Sequence, residues 1–314
     1  MRRRLLLSTI ILPFVLMGCA QSQSKADNGK TGPAAVSVTD FADRTVDLDQ
    51  VPERIVALSN GEVDIVYALG GEVVGRPNSN GPLAVKEAES AEEVGSTHSI
   101  DIEKITALQP DVVLGGHPMN MKDVPAIEGT GAKVILSGAN SVDDIKKQVS
   151  LLGELLGKEE KSKEIITDID NKMAEIRSEL PEEQPRVLLV YGAPGTNMAA
   201  LPNSLSGNLL ELAGGKNIAS DYPGLDSYPQ YAQLNTERII ESNPEIILLM
   251  SHGNPQEVKD SFMNEMKKNA GWKDLDAVKN DRFVILPSEL FGTNPGTRVI
   301  ESLEFLQKTF KEMK

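Results

Sequence analysis

The feature that most constrains the fold is an internal duplication. Asp101-Ile102-Glu103-Lys104-Ile105 followed by Pro110-Asp111-Val112-Val113-Leu114 resembles Asn235-Thr236-Glu237-Arg238-Ile239 followed by Pro244-Glu245-Ile246-Ile247-Leu248, at a constant offset of 134 residues. Gly70-Gly71, closing an apolar helical stretch, is echoed by Gly214-Gly215 after Leu209-Leu210-Glu211-Leu212. A chain that repeats one unit at this spacing folds as two like units, and 314 residues are enough for two.

Each unit reads as α/β. Val36–Thr39 and Thr45–Leu48 alternate around a turn at Asp43-Arg44 and predict an opening hairpin. Ile55–Leu58 is a short apolar run of the kind buried in a parallel sheet. A helix to Leu69, a strand at Val73–Gly75, a helix at Ile102–Leu108 and strands at Val112–Leu114 and Lys133–Leu136 then alternate, which implies a parallel sheet. Ser141 opens another helix with Asp144 three residues on. From Lys158 to Leu180, the residues Ile165, Ile169, Met173, Ile176 and Leu180 form one helical stripe that Pro181 ends. A bare helix of that length between two α/β regions predicts a strut joining two lobes.

The amino terminus places the protein. Arg2-Arg3-Arg4, an apolar run from Leu5 to Met17, then Gly18 and Cys19 describe an export signal, too short for a comfortable membrane span. The only cysteine directly follows Leu16-Met17-Gly18, in the manner of a lipobox, so Cys19 is the expected lipidation site. The expected organisation is residues 1–18 as signal peptide, 19–33 as flexible tether, 34–157 as amino-terminal lobe, 158–180 as interlobe helix and 181–314 as carboxyl-terminal lobe. Removing the signal leaves 29 basic and 46 acidic residues. That balance argues against nucleic-acid binding and against adsorption to an anionic bilayer, leaving the lipid as the membrane anchor. A single cysteine also excludes an intramolecular disulfide or a multi-thiolate zinc site.

Only three histidines occur, His98, His117 and His252. His117 and His252 each follow a predicted strand, and His98 precedes the helix that starts near Asp101. Imidazole is the commonest protein metal ligand. One histidine from each lobe would grip the two faces of a haem iron between apolar walls, without covalent attachment because no Cys-x-x-Cys-His is present. No Gly-x-Ser-x-Gly elbow or other catalytic pattern accompanies them, so neither an enzyme nor a catalytic cofactor is expected.

The lipobox, Pro52-Glu53-Arg54-Ile55-Val56-Ala57-Leu58-Ser59 and the stretch Asp101–Leu114 resemble the periplasmic-binding-protein family that serves ABC importers of siderophores, cobalamin and haem. The resemblance implies a class III substrate-binding fold: two Rossmann-like lobes with parallel sheets joined by a single long backbone helix. In the second half, Val187–Gly195, Leu210–Asn217 and Leu249–Val258 resemble haem-receptor lipoproteins of Gram-positive bacteria. That likeness implies His252 as an axial ligand and puts His98 where the relatives carry a methionine, hence a bis-histidine site. Internal symmetry would instead pair His117 with His252, and Met119 and Met121 are outside candidates. The family docks on a two-subunit permease through one glutamate per lobe, which maps onto Glu103 and Glu237.

Several loops are candidates for the pocket itself. Ser59-Asn60-Gly61 and Asn78-Ser79-Asn80-Gly81 would offer backbone N–H groups to haem propionates. Met198 and Tyr228, the latter in a loop with Tyr222 and Tyr231, would line or stack on a flat ligand. The rival ligand is a ferric siderophore, which would use Arg76, Arg298 and the tyrosine loop. The expected protein is thus a lipid-anchored monomer on the outer face of the cytoplasmic membrane of a Gram-positive bacterium. Its expected partners are haem, taken from a surface donor protein, and an ABC permease dimer for iron acquisition.

Overall fold

The computed structural model describes residues 35–313, apart from 80–82, 98, 194, 252 and 253. The signal segment, the tether, Cys19, His98 and His252 therefore lie outside the described residues. The alternation at the start of the mature chain produces β1 (Val36–Thr39) and β2 (Thr45–Leu48), an antiparallel hairpin with Val38 opposite Val46. Asp40 in its turn accepts from the Arg44 guanidinium at 2.6 and 2.9 Å and from the backbone N–H groups of Ala42, Arg44 and Leu136.

The buried run becomes β3 (Ile55–Ala57) and leads into α1 (Asn60–Ala68), which Ser59 and Glu62 close with a capping box. The next strand, β4 (Gly75–Arg76), starts two residues later than the sequence suggests. Val73 is buried as a core side chain, and Val74 already donates to the Ile55 carbonyl at 2.8 Å. After β5 (Glu92–Glu93) comes a two-stranded ribbon, β6 (Gly95–Ser96) and β7 (Ser99–Ile100), then α2 (Ile102–Ala107), β8 (Val112–Gly116), α3 (Val124–Glu128) and β9 (Lys133–Ser137). The first sheet runs β5-β4-β3-β8-β9 with every neighbouring pair parallel. Next come α4 (Val142–Leu155), capped by Ser141 onto the Asp144 N–H, and α5 (Glu159–Ser178).

The second half holds β10 (Arg186–Ala193), β11 (Thr196–Ala200), α6 (Leu205–Leu212), β12 (Lys216–Asn217), β13 (Tyr231–Gln233), α7 (Thr236–Ser242) and β14 (Ile246–Ser251). It closes with α8 (Pro255–Met266), α9 (Asp276–Lys279), β15 (Phe283–Ile285), α10 (Ser288–Phe291) and α11 (Val299–Lys311). The parallel series β12-β10-β14-β15 repeats β4-β3-β8-β9, and β11 and β13 add an antiparallel extension that the repeat does not announce.

The duplication persists in backbone detail. Asp101 caps α2 through the Lys104 N–H and Asn235 caps α7 through the Arg238 N–H, both at 3.0 Å. Both helices are followed by a left-handed residue, Gln109 at φ 46° and Asn243 at φ 43°. The acid two residues after each then ties the strands together: Asp111 accepts from Arg54 N at 2.8 Å, and Glu245 from Arg186 N at 2.9 Å. Like sequence has produced like hydrogen bonding at both sites.

Helix α5 runs for 20 residues, about 30 Å. Its stripe is used as expected, with Ile169 and Ile176 buried and Ile165 and Met173 half-buried. Asp170 pairs with Lys146 of α4 at 2.8 Å, while Lys172 pairs with Glu304 of α11 at 2.7 Å. One turn of the helix is thereby fastened to both halves. Elsewhere, Thr297 of the second half donates its N–H and hydroxyl to Asp64 of α1 at 2.6 and 2.7 Å. Asn208 of α6 accepts from Val142 N of α4 at 3.0 Å. A continuous apolar core runs through both halves, and smaller cores cover the other faces of the two sheets.

Burial alone would raise the Asp40 carboxyl, but the Arg44 guanidinium and three backbone donors outweigh it and hold its pKa below the ordinary 3.8. A depressed folded-state pKa stabilises the protein above the unfolded value and is lost as pH falls through the folded one. Asp40→Asn is accordingly expected to cost about 1–3 kcal/mol at pH 7, because donors lose a charged acceptor. The gap between the variant and wild type should shrink below pH 3.8. Urea unfolding at pH 7 and at successively lower pH checks both statements.

Candidate functional site

The carboxyl ends of parallel strands are where open α/β sheets present ligand-binding loops. In the first half these ends belong to β3, β8 and β9. His117 directly follows β8, is half-buried, and donates its backbone N–H to Ser137 O at 2.6 Å. The loop after it is held by Asn120, buried, whose Oδ1 accepts from Gly116 N at 2.9 Å and whose Nδ2 donates to Asp123 at 3.0 Å. With Asn120 turned inward, its neighbours Met119 and Met121 are left 42% and 47% exposed.

In the second half the corresponding ends belong to β10 and β14, paired at Gly192–Ser251. Ser251 is buried with its hydroxyl unpartnered among the described residues, immediately before His252. Tyr191, near the end of β10, packs its ring 5.2 Å from that of Tyr231 on β13. Met198 is paired opposite Tyr191 and therefore shares its face of the sheet. Tyr228 is 59% exposed and close enough to Tyr191 for its hydroxyl to help raise the Tyr191 pKa, after burial, which dominates. Burial likewise pushes up Tyr231, with a smaller contribution from Tyr191. The result is a tyrosine cluster in which burial favours the neutral form of Tyr191 and Tyr231, with Tyr228 beside them open to solvent.

The structure divides the tyrosine loop. Tyr222 is not a ligand-facing ring: it is buried in a small core with Ala199, Leu201, Ala219 and Ala232, and the Arg238 guanidinium sits 4.3 Å from its ring centre. Only burial separates Tyr222 from Tyr228, and local sequence carries no signal for it.

The proposed propionate turns also have structural uses. The Ser59 hydroxyl accepts from Glu62 N, and the buried Glu62 carboxylate takes Leu58 N and Ser59 N at 3.2 and 3.0 Å. Asn60 is exposed, but Gly61 is buried where a Cβ would overlap the Asn294 side chain. That turn serves contact between the halves, and a carboxylate already occupies its helix start. Ser79 donates its backbone N–H to Glu93 at 3.4 Å, so this candidate too already faces an anion.

The arginines needed for a siderophore are committed elsewhere. Arg76 is buried and donates to the Ala88 and Pro77 carbonyls and to Glu93. Arg298 makes a two-pronged bond to Glu301, both arms 3.0 Å. Glu103 and Glu237 are both exposed in the first turns of α2 and α7. Their basic neighbours are occupied, Lys104 by Glu92 and Arg238 by Asp221.

Among the described residues no group of three His, Cys, Asp or Glu side chains converges as a metal site, and no helix is long and apolar enough to cross a membrane. A crevice of about 440 Å³ between α4, α5 and α6 is walled by helices, and none of the predicted site residues lines it.

Residues 55–290 match the family described as periplasmic binding protein. The chain is 27% identical over 288 residues to the high-affinity heme uptake system protein IsdE of Staphylococcus aureus, covering 91% of this chain and 90% of that one. The solved structure of S. aureus IsdE complexed with heme superposes with a TM-score of 0.72 over 82% of this chain and 98% of that one, at 27% identity. An ABC transporter substrate-binding protein from Listeria monocytogenes EGD-e aligns at 30% identity and TM-score 0.72, over 84% of this chain and all of that one. The fold is shared as well by FeuA of Bacillus subtilis, a triscatecholate siderophore binding protein, at 20% identity and TM-score 0.71 over 88% of this chain and 97% of that one.

Proposed function

We propose, from the premise that the chain belongs to the periplasmic binding protein family, that its ligand is haem, held between the two halves and passed to an ABC permease. Being a substrate-binding protein of an ABC transporter of the haem, siderophore and cobalamin type, it captures cargo and is not an enzyme. The observation that carries the haem reading is the placement of its exposed apolar side chains. Among the described residues the large exposed hydrophobics are Val51, Met119, Met121 and Tyr228. All but Val51 sit beside the carboxyl ends of β8 and β10. Exposed apolar groups at loops of both sheets mark surfaces meant to be covered, and a porphyrin offers two broad apolar faces to cover them.

The committed arginines point the same way. A ferric siderophore of anionic catecholates calls for free cations, and Arg76 and Arg298 are both spent on carboxylates. The relation to IsdE adds support. In this reading His252 supplies one axial imidazole and the first half the other, from His98 or His117. The lipid on Cys19 keeps the protein at the outer face of the cytoplasmic membrane, and Glu103 and Glu237 meet the two permease subunits.

The test is an absorption titration of the mature protein with haemin. A sharpened, shifted Soret band saturating near one equivalent is the expected result. A spectrum that is only the sum of free haemin and protein, with tryptophan quenching by a ferric siderophore instead, would replace haem with the rival ligand.

A further inference from the structure

A directed chain of hydrogen bonds, part-buried at Asn294 and buried beyond it, joins the second half of the molecule to the loop that carries His117. Asn294, between α10 and α11, donates its Nδ2–H to Gln148 Oε1 at 2.8 Å. Gln148, 1% exposed on α4, donates its Nε2–H to Ser137 Oγ at 2.8 Å. Ser137, buried at the end of β9, donates its hydroxyl to Glu62 Oε1, also at 2.8 Å. The chain ends on a carboxylate that takes two further backbone donors. Each amide is thereby oriented, because a flipped Gln148 would set its NH₂ against the Asn294 NH₂ and its carbonyl against a Ser137 hydroxyl already donated to Glu62.

Ser137 is the junction. Its side chain belongs to this chain, while its backbone carbonyl holds the His117 N–H at 2.6 Å. The far end is equally constrained. Asn294 Oδ1 accepts from Gly296 N at 2.9 Å, and the absence of a Cβ at Gly61 lets the Asn294 side chain approach α1. Buried polar groups joined this way are costly to leave half-satisfied, so displacement of the Asn294 loop is transmitted rather than absorbed.

We propose that Gln148 and Asn294 are positioning residues that set the loop of His117 and Met119 in the first half according to where the second half sits. Such residues would tune capture of the ligand without touching it. The proposal rests on the reading above only for what the loop binds; the mechanical link is a property of the ligand-free protein.

The experiment is amide hydrogen exchange on the ligand-free mature chain, comparing wild type with Asn294→Asp and Gln148→Leu. Asn294→Asp keeps size and the acceptor for Gly296 but sets a charged acceptor in place of the donor to Gln148, so it breaks that link. Exchange in residues 112–123 is expected to rise about five- to tenfold in Asn294→Asp, with residues 246–251 of β14 unchanged. Gln148→Leu should show the same local pattern, larger. Unchanged exchange at 112–123 in Asn294→Asp, or an equal rise in both sheets, overturns the proposal. Haemin titration of Asn294→Asp adds a second readout, with affinity expected to fall by a similar factor. A wild type that ignores haemin while the exchange result holds would remove the ligand assignment and leave the link standing.

Discussion

His252→Ala is expected to lower haemin affinity at least 100-fold and to collapse the low-spin spectrum of the complex. Loss of even an outer-shell partner of a metal ligand costs roughly 10–100-fold, and under the proposed haem ligation this substitution would remove an iron–nitrogen bond outright. The residue follows β14, whose six residues are all buried, so the strand that aims it is fixed by the core and the variant should remain folded. The paired substitutions assign the other axial position. His98→Ala should give a mixed- or high-spin spectrum with a smaller loss of affinity if the family alignment is the guide. His117→Ala should do so if internal symmetry is, since His117 follows β8 as His252 follows β14. Wild-type spectra in all three variants would eliminate histidine ligation.

Reversing both carboxylates proposed to dock on the permease, Glu103→Arg with Glu237→Arg, is expected to abolish haem import while leaving the haemin titration as in wild type. The physical basis is the environment of each residue. Both are exposed in the first turn of a short capped helix, where a carboxylate is favoured by the helix dipole and remains hydrated. Neither has an ion-pair partner among the described residues, and Lys104 and Arg238 are drawn aside by Glu92 and Asp221. Each single reversal should give a partial loss. The measurement is haem-stimulated ATP hydrolysis by the cognate permease in proteoliposomes, in parallel with a haemin titration of each variant. A fall in haemin affinity would show that these carboxylates serve the pocket, and full transport by the double variant would remove the docking role.

Features set by local sequence were legible before the structure, and those set by distant pairing were not. The repeat, the helix start at Ser141 and the apolar stripe of α5 all follow from neighbouring residues. The bond of Asp64 to Thr297 spans 233 positions and that of Gln148 to Asn294 spans 146. Nothing near Asp64 or Gln148 in the chain announces either partner. Burial explains the misread residues too. Arg76 is an available arginine for a siderophore on sequence alone, yet the β4–β5 pairing places Glu93 beside it. Ser59-Asn60-Gly61 carries the residue types of an anion-binding turn, and the deciding fact is a side chain from residue 294 packed over it.

The fastening of α5 to both halves has an energetic corollary. Lys146–Asp170 and Lys172–Glu304 grip one turn of the rod from opposite sides, and Asp64 with Thr297 adds a rivet at another point of the seam. Swinging the halves wide apart would require undoing these fasteners together. Each half-exposed ion pair contributes little by itself, about 0–1 kcal/mol, so the cohesion of the seam comes from several modest links acting in concert with the shared apolar interior.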